Sequence, residues 1–299
     1  MREHQGKLYF PHSTRLQSVD TVTGDRSTIT SVSFFPTCID VQHGFVALGG
    51  QRGELYVYNL TTSNTIYAGR ICSSVVNALQ ICYINNTLTL VCSSNDSHIS
   101  MFSIPTMSLV TTIGFPFPVN HTTVSPSGNM LVTVGDHNQV NLYSNSGGRW
   151  SKVYGTNAFT DAGMSTDWNS SGFLYAAASQ DGTAVLSDVR NLNQYTKIKS
   201  FRPYGVADSI LGSFRSVKFS KHGVVDLLVL AQHRSYVIAN DTRSFHEGAV
   251  LEVGNGGVEL AGVCFGQFDR NLYIATEDDI NKIGIDVPSR LRSAEFECL

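Results

Sequence analysis

The chain has 299 residues, a formal net charge of −3 at pH 7 and a sequence pI near 6.3, so no overall positive field attracts nucleic acid or an anionic membrane. Charged residues make up only 15% of the sequence, against a typical value of about 25%, while 26 glycines are present. The length suffices for a substantial core, and the composition is typical of an all-β protein in which tight turns join many short strands.

Residues 1–6 contain no apolar segment of the secretory type, so we expect no secretory signal. The apolar runs at 173–178 and 227–231 are much shorter than the ~20 residues that a membrane-spanning helix needs. The six cysteines lie mostly in apolar strand-like runs and form no C-x-x-C pair, which favours buried free thiols. They are Cys38, Cys72, Cys82, Cys92, Cys264 and Cys298. We expect a cytoplasmic or nuclear protein with no cofactor and no metal.

Seven stretches of the chain share a hairpin pattern, in which a strand of small or apolar residues, a short polar turn and an alternating strand follow one another. The stretches are 8–20, 45–59, 90–103, 130–143, 177–190, 227–241 and 272–286. Six of the predicted turns are Arg52-Gly53, Asp96-Ser97, His137-Asn138, Asp181-Gly182, Arg234-Ser235 and Asp278-Asp279. One position of the second strand recurs every 39 to 53 residues, at Val19, Tyr58, Phe102, Tyr143, Ser187, Asn240 and Ile283. Seven copies predict seven repeated sheets.

Six of the hairpins follow a segment that fits an inner strand. These segments are 38–41, 78–82, 122–128, 165–169, 216–220 and 262–265. The first hairpin lacks one, unless residues 1–5 or the tail Arg290 to Phe296 supplies it. We expect the tail to do so, because strands from both chain ends would then close the ring and remove two exposed sheet edges.

The hairpin from Ala177 to Arg190 resembles the second half of a WD repeat, the four-stranded blade of a β-propeller. The resemblance includes Ser179, Asp181 and Gly182, but Ser187 stands where the family usually has tryptophan. It implies an all-β, seven-bladed WD40-type β-propeller, which we expect to occupy residues 1–299 as a single domain with its ring closed by strands from both chain ends.

A second resemblance covers about one blade. The run from Ser216 to Leu230, with its Asp-Leu-Leu at 226–228, is similar to a segment of a family of fungal WD-repeat proteins of unknown function. This resemblance implies a fungal source. It also implies a role as substrate receptor of a ubiquitin ligase, since one member of that family is associated with the ligase that degrades gluconeogenic enzymes.

No catalytic motif of the G-x-S-x-G, G-x-x-x-x-G-K-[ST] or H-E-x-x-H type is present, and we expect no enzyme activity. In a WD-type propeller the turns between second and third strands surround one mouth of the central channel. The insertion between Arg190 and Phe214 should form an outer strand at 191–200 and overhang that face at 201–213, where aromatic and arginine side chains could anchor an interface. The expected partner-binding residues are Arg52, His137, Asp181, Arg202, Tyr204, Arg215, Arg234 and Asp278.

Each of these residues also has a purely structural interpretation. An aspartate such as Asp181 or Asp278 can simply brace its turn. Arg52, Arg234 and His137 replace that aspartate, and an arginine cannot accept the hydrogen bonds of the turn. The second interpretation of the insertion is a solvated or self-packed loop.

These residues support three hypotheses for the function. The first is a scaffold or adaptor in a larger complex that binds a protein or peptide, in its sharper form a ubiquitin-ligase receptor that pairs Asp181 or Asp278 with the α-amine of a chain end. The second is a small-molecule or catalytic site in the channel, which requires Asp40 and Asp167 to share one pocket. The third, a subunit of an RNA-processing complex, requires a continuous basic patch and is disfavoured by the acidic pI.

Overall fold

A computed structural model describes residues 1–202, 212–223, 225–243, 248–254 and 257–286. These residues form 27 strands in seven antiparallel sheets, the blades of a β-propeller. Blades 1 to 3 consist of β1 (Arg2–His4), β2 (Lys7–His12), β3 (Arg15–Asp20) and β4 (Arg26–Ser31); β5 (Pro36–Gln42), β6 (Phe45–Gly50), β7 (Glu54–Asn59) and β8 (Asn64–Arg70); and β9 (Val76–Ile84), β10 (Thr87–Ser94), β11 (His98–Ser103) and β12 (Leu109–Gly114).

The remaining blades follow in chain order. Blades 4 and 5 consist of β13 (Val119–Val124), β14 (Met130–Gly135), β15 (His137–Ser146) and β16 (Arg149–Asn157); and β17 (Gly163–Trp168), β18 (Leu174–Ser179), β19 (Thr183–Asp188) and β20 (Tyr195–Lys199). Blades 6 and 7 consist of β21 (Phe214–Phe219), β22 (Leu227–Gln232), β23 (Tyr236–Asp241) and β24 (Ala249–Glu252); and β25 (Leu260–Phe265), β26 (Asn271–Thr276) and β27 (Ile280–Gly284).

The strand pairing confirms the seven-fold repeat. Each of the seven recurring positions lies on the third strand of its blade and is paired, through the second strand, with the same point of the inner strand. Tyr58, for example, lies opposite Val46, which lies opposite Val41. In the same register, Ser187 lies opposite Tyr175 and Trp168, and the other five positions follow this pattern.

Two details of the sequence prediction are wrong. The inner strand of blade 1 is β1, close to the N-terminus, which pairs with β2, so the first hairpin does not need the tail. Residues 290–296 lie outside the described part of the chain. Blades 1 and 7 are neighbours, because Leu8 of β2 packs with Cys264 and Tyr273 of blade 7. In blade 4, Asp136 alone separates β14 from β15, so the turn lies one residue earlier than His137-Asn138.

Blade-on-blade packing explains why the second strands look uniformly apolar in the sequence. Every residue of β22 is buried, whereas β24 at the outer edge of the same blade is mostly exposed. A second strand has a neighbouring blade on each face, so both sets of its alternating side chains leave water. The largest fully buried side chain is Trp168, which packs with Tyr175 and with residues of blade 4.

Glycines at the turns permit close contact between blades, which leads to a first testable prediction. Gly53 has φ +77°, and a Cβ atom there would lie 2.0 Å from the carbonyl oxygen of Cys72. Gly24 has the same φ of +77° but nothing within 4 Å of the added atom. We expect Gly24→Ala to lower the free energy of unfolding by about 1 kcal/mol through backbone strain alone, and Gly53→Ala by about 2–3 kcal/mol because overpacking adds to that strain. Urea denaturation of both variants measures the difference, and equal losses would contradict it.

Candidate functional site

A channel along the axis of the ring contains two cavities, of about 780 Å³ and about 650 Å³. The upper cavity is lined by the first residues of inner strands, such as Leu260, and by turns between second and third strands. The lower cavity is lined by the last residues of inner strands, such as Phe265. Arg2, His121 and Lys218 line both cavities, so they mark the level at which the two meet, which we call the waist.

Seven equivalent residues, one per blade, surround the channel at this level. In each blade, the recurring position of the third strand lies opposite a residue of the second strand, which in turn lies opposite a residue of the inner strand. The ring residue is the one directly before this inner-strand residue. The ring consists of Arg2, Asp40, Gln80, Thr123, Asp167, Lys218 and Cys264. Only Asp40 and Asp167 were recognised in the sequence. A pattern of polar residues within inner strands at the repeat period could have revealed the others.

Several ring side chains connect neighbouring blades. Three of them accept a hydrogen bond from a backbone N–H of the next inner strand: Asp40 from Ile81 at 2.7 Å, Gln80 from Val124 at 2.7 Å and Asp167 from Phe219 at 2.8 Å. Inner strands of different blades do not pair with one another, so side chains supply these contacts. The ring therefore stabilises the channel as well as lining it.

The two carboxylates of the ring are both paired with cations. The Nε of Arg2 donates to Asp40 Oδ1 at 2.6 Å, and the Nζ of Lys221 donates to Asp167 Oδ1 at 2.9 Å. Burial alone would raise the pKa of Asp167, but Lys221 and Lys218 outweigh it and hold that pKa below its usual value. Asp40 and Asp167 do line one cavity, as a channel site requires, and each carboxylate is ion-paired there.

The described residues include potential metal ligands and thiols. None of their clusters of histidine, cysteine and acidic side chains could hold a metal ion. The five described cysteines are free, but only Cys92 and Cys264 are buried, so the expectation of general burial is met in part. Cys38 and Cys82 keep some exposure, but the partial loss of hydration raises the pKa of both to about 12, which keeps both thiols protonated. Cys298 lies outside the described residues.

The carboxylate of Asp181 accepts hydrogen bonds from residues next to its turn. Its carboxylate accepts hydrogen bonds from the backbone N–H of Thr160 at 2.7 Å, from the Thr160 hydroxyl at 3.0 Å and from the N–H of Thr183 at 2.7 Å. Burial acts to raise the pKa of Asp181, yet these hydrogen bonds lower it overall. The structural interpretation accounts for Asp181, since its acceptors are used within blades 4 and 5.

The turn between the second and third strands of blade 7 differs from the Asp181 turn of blade 5 in the surroundings of its carboxylates. Glu277, Asp278 and Asp279 are exposed and line the upper cavity. Within the described residues no hydrogen bond or ion pair engages their carboxylates, although the backbone of Asp279 closes the turn on Thr276. Three free carboxylates therefore stand at the upper mouth, of which the sequence analysis identified only Asp278 as a binding residue. We call residues 277–279 the acidic turn.

This contrast yields a second prediction. Asp181→Ala should lower the free energy of unfolding by about 1–2 kcal/mol, because three donors lose a charged acceptor. Asp278→Ala should change it by no more than about 0.5 kcal/mol, as is usual for an exposed side chain without partners. Thermal and urea unfolding of the two variants measure both effects. A destabilised Asp278→Ala beside an unaffected Asp181→Ala would refute the assignment.

The arginine and histidine candidates lie in different settings. Arg52 is exposed in its turn, with its backbone N–H bound to Glu54. His137 is exposed at the start of β15 and stacks on Phe117 with ring centroids 5.2 Å apart. Arg202 is exposed, and Tyr204 lies outside the described residues.

Arg215 and Arg234 belong to one mixed-charge cluster. The Nε of Arg215 donates to Nδ1 of His233 at 3.3 Å, and Glu259 lies 3.4 Å from His233 and 3.5 Å from Arg234. Arg215 also lines the upper cavity. Because Glu259 stands within this cluster, an acidic group interrupts the basic surface that the RNA-binding hypothesis requires.

The insertion before blade 6 forms the predicted outer strand, β20, between 191 and 200. Beyond it, the backbone of Phe201 is bound on both sides by the Gln232 side chain, which accepts from its N–H and donates to its carbonyl oxygen, both at 3.0 Å. The Phe201 ring meets Tyr236 edge-on at 5.0 Å. This start of the insertion is therefore packed on blade 6. Residues 203–211 lie outside the described part of the chain.

No helix within the described ranges has the length and apolar character that crossing a membrane would demand.

Comparison with known proteins gives a match to the uncharacterised protein domain DUF2415 at residues 212–252, which coincides with blade 6. The chain is 28% identical over 282 residues to the uncharacterised protein C4G3.03 of Schizosaccharomyces pombe, covering 90% of this chain and 79% of that protein. It is also 22% identical over 264 residues to the uncharacterised protein YLR149C of Saccharomyces cerevisiae, covering 73% of this chain and 35% of that protein. The chain is thus a seven-bladed β-propeller similar to two yeast proteins and, over one blade, to DUF2415.

Proposed function

We propose that this protein is a non-enzymatic interaction scaffold or adaptor, which binds a protein or peptide at the upper mouth of its channel as a subunit of a larger complex. Propellers commonly serve in this way, because a rigid ring of sheets presents variable turns on one face. The observation that carries the proposal is the acidic turn, whose three carboxylates are exposed at the mouth without partners in the described residues.

The chemistry of the mouth indicates the kind of partner. Arg215 lines the same cavity from blade 6, so acidic and basic groups share the wall of this cavity. A peptide that places an ammonium group against the acidic turn and a carboxylate near Arg215 would match both. Asp181, whose acceptors are already used, is not part of this surface.

The finer form of the proposal is a substrate receptor of a ubiquitin ligase complex that captures the α-amine of a chain end. It is motivated by the resemblance to the fungal family and by the free carboxylates of the acidic turn, since backbone ends are recognised by groups of opposite charge. In this form Asp278 and its two neighbours replace Asp181 as the amine-binding group.

Affinity purification followed by mass spectrometry tests the proposal. The variant carries Glu277→Lys, Asp278→Lys and Asp279→Lys together, and the matched control is Asp226→Lys, an exposed aspartate at the opposite end of blade 6. We expect the wild type and the control to retain the same specific partners and the triple variant to lose them at least tenfold. Full retention by the triple variant, or a monomer with no partner, would contradict the proposal.

A synthetic peptide tests the finer form. Once a partner is identified, its N-terminal peptide is compared with the same peptide acetylated at the α-amine. Capture of the α-amine predicts that acetylation weakens binding at least tenfold. Equal binding of both peptides would leave the scaffold proposal standing and remove the amine-capture mechanism.

A small-molecule function in the channel is favoured by one specific observation, the presence of both Asp40 and Asp167 in the wall of the lower cavity. Their ion pairs with Arg2 and Lys221 make this wall suited to binding rather than to proton transfer.

A further inference from the structure

The waist of the channel contains a cation, Lys218, without a partner among the described residues. Lys218 lies on β21 and lines both cavities. In the described part of the chain its ammonium group makes no hydrogen bond and no ion pair. Arg2 and Lys221 by contrast each have a carboxylate, Asp40 and Asp167 respectively. Among these five side chains, three cations face two carboxylates, which leaves one positive charge without a counter-ion among them.

Two further N–H donors face the same space. The Nε of Arg2 is used by Asp40, but no acceptor among the described residues contacts its terminal nitrogens. Nδ1 of His121 lies 3.3 Å from the backbone N–H of Thr166, which can only donate, and 3.0 Å from the Thr166 hydroxyl, which can donate as well. With Nδ1 accepting from both groups, the proton of the neutral ring is on Nε2. Arg2, His121 and Lys218 come from blades 1, 4 and 6, so the donors converge from three sides of the channel.

The electrostatics of the waist agree with this geometry. Burial first, and then Lys218 and Arg2, lower the pKa of His121 to about 3, so His121 is neutral at pH 7. Burial and then Arg2 lower the pKa of Lys218 to about 8, although Asp167 acts in the opposite direction. Lys218 thus remains mostly protonated at pH 7, at a cost in free energy that an anion would offset.

We propose that the channel waist is a binding site for a small oxyanion bearing phosphate or carboxylate groups, held by Lys218, by the terminal nitrogens of Arg2 and by the Nε2–H of His121. Cavities of about 780 Å³ and about 650 Å³ on either side are of the size that holds small molecules. Charge-assisted hydrogen bonds from converging donors are the usual means of holding such groups. The acidic turn lines the upper of these cavities but not the waist, and the proposed site does not depend on the partner proposed at that turn.

Thermal unfolding and calorimetric titration with two probes, inorganic phosphate and citrate, test the proposal, with potassium chloride at matched ionic strength as the reference. We expect at least one probe to raise the melting temperature saturably by several degrees, and calorimetry to give a stoichiometry near one. The probe that responds more strongly distinguishes a phosphate from a carboxylate ligand. No saturable response to either probe would overturn the proposal.

Three variants test whether the responding probe binds at the waist. Lys218→Met should lower the affinity for the responding probe at least tenfold and should melt no lower than the wild type without it, because an unpaired cation is removed. Lys218→Arg should retain binding. Lys152→Met removes an exposed lysine on the outer strand β16 and should behave as the wild type. Binding by Lys218→Met equal to that of the wild type, or an equal loss in Lys152→Met, would refute the site.

Discussion

Replacing Trp168 by alanine is expected to lower the free energy of unfolding by about 3–5 kcal/mol, a large part of the stability of an ordinary domain. The side chain is only 1% exposed and lies between blades 4 and 5. Its indole Nε1 donates to the carbonyl oxygen of Thr123 at 3.0 Å. The variant therefore loses apolar burial, leaves a cavity and deprives a buried carbonyl of its donor.

Trp150→Ala is the matched control, because Trp150 is the other tryptophan and lies partly exposed on the outer strand β16. Its loss should cost only about 1 kcal/mol. Urea denaturation followed by far-ultraviolet circular dichroism compares the two variants without relying on tryptophan fluorescence. If Trp168→Ala were no less stable than Trp150→Ala, packing of Trp168 between blades 4 and 5 would not be a main contribution to the free energy of unfolding.

Removal of the Asp167 carboxylate should have the second largest effect. Asp167→Ala leaves the backbone N–H of Phe219 without its acceptor and Lys221 without its carboxylate, although the Nζ of Lys221 still donates to the carbonyl oxygen of Trp168. It also removes a negative charge near Lys218, which has no partner in the described part of the chain. Breaking a buried ion pair costs about 3–5 kcal/mol. We expect about 2–4 kcal/mol, because the side chain of Lys221 is 45% exposed and can turn to water.

The pH dependence of stability checks the electrostatic origin of this loss. Because the folded-state pKa of Asp167 lies below the unfolded value of about 3.9, its ionised form stabilises the protein above about pH 4. This contribution disappears as the pH falls below about 4 through the folded-state pKa. The stability gap between wild type and Asp167→Ala should therefore narrow in acid.

A double-mutant cycle with Lys221→Met provides the control, since the second substitution should be less harmful when Asp167 is already absent. A gap that stays constant with pH, together with additive losses in the cycle, would show that Asp167 acts through packing alone.

The repeat was predictable because a blade is a local structure. Its strands follow one another along the chain, and turns such as Asp181-Gly182 mark each reversal within a few residues. Hairpin patterns 39 to 53 residues apart therefore predicted seven blades before any long-range contact was known. Residues 1–5 were only the less favoured alternative for the inner strand of blade 1, because the three residues of β1, Arg2–His4, are too few to show a period.

The roles of the turn residues could not be predicted, because two aspartates in equivalent turns meet different neighbours. Asp181 lies beside Thr160, which arrives from the preceding blade and uses its acceptors. Asp278 meets no such donor among the described residues and remains exposed at the upper mouth. From the sequence alone, each of the two aspartates could either brace its turn or bind a partner.

By itself, the amino-acid sequence determined the class of fold, the number of blades and the positions of most strands, since these depend on short-range alternation and turn chemistry. Only the tertiary structure decided what the channel is. Arg2, His121 and Lys218 are about a hundred residues apart in the chain, and each is an ordinary polar residue of its own strand. They meet because seven blades arranged around one axis bring equivalent positions together, and whether a cation there has a counter-ion depends on which residue the adjacent blade contributes.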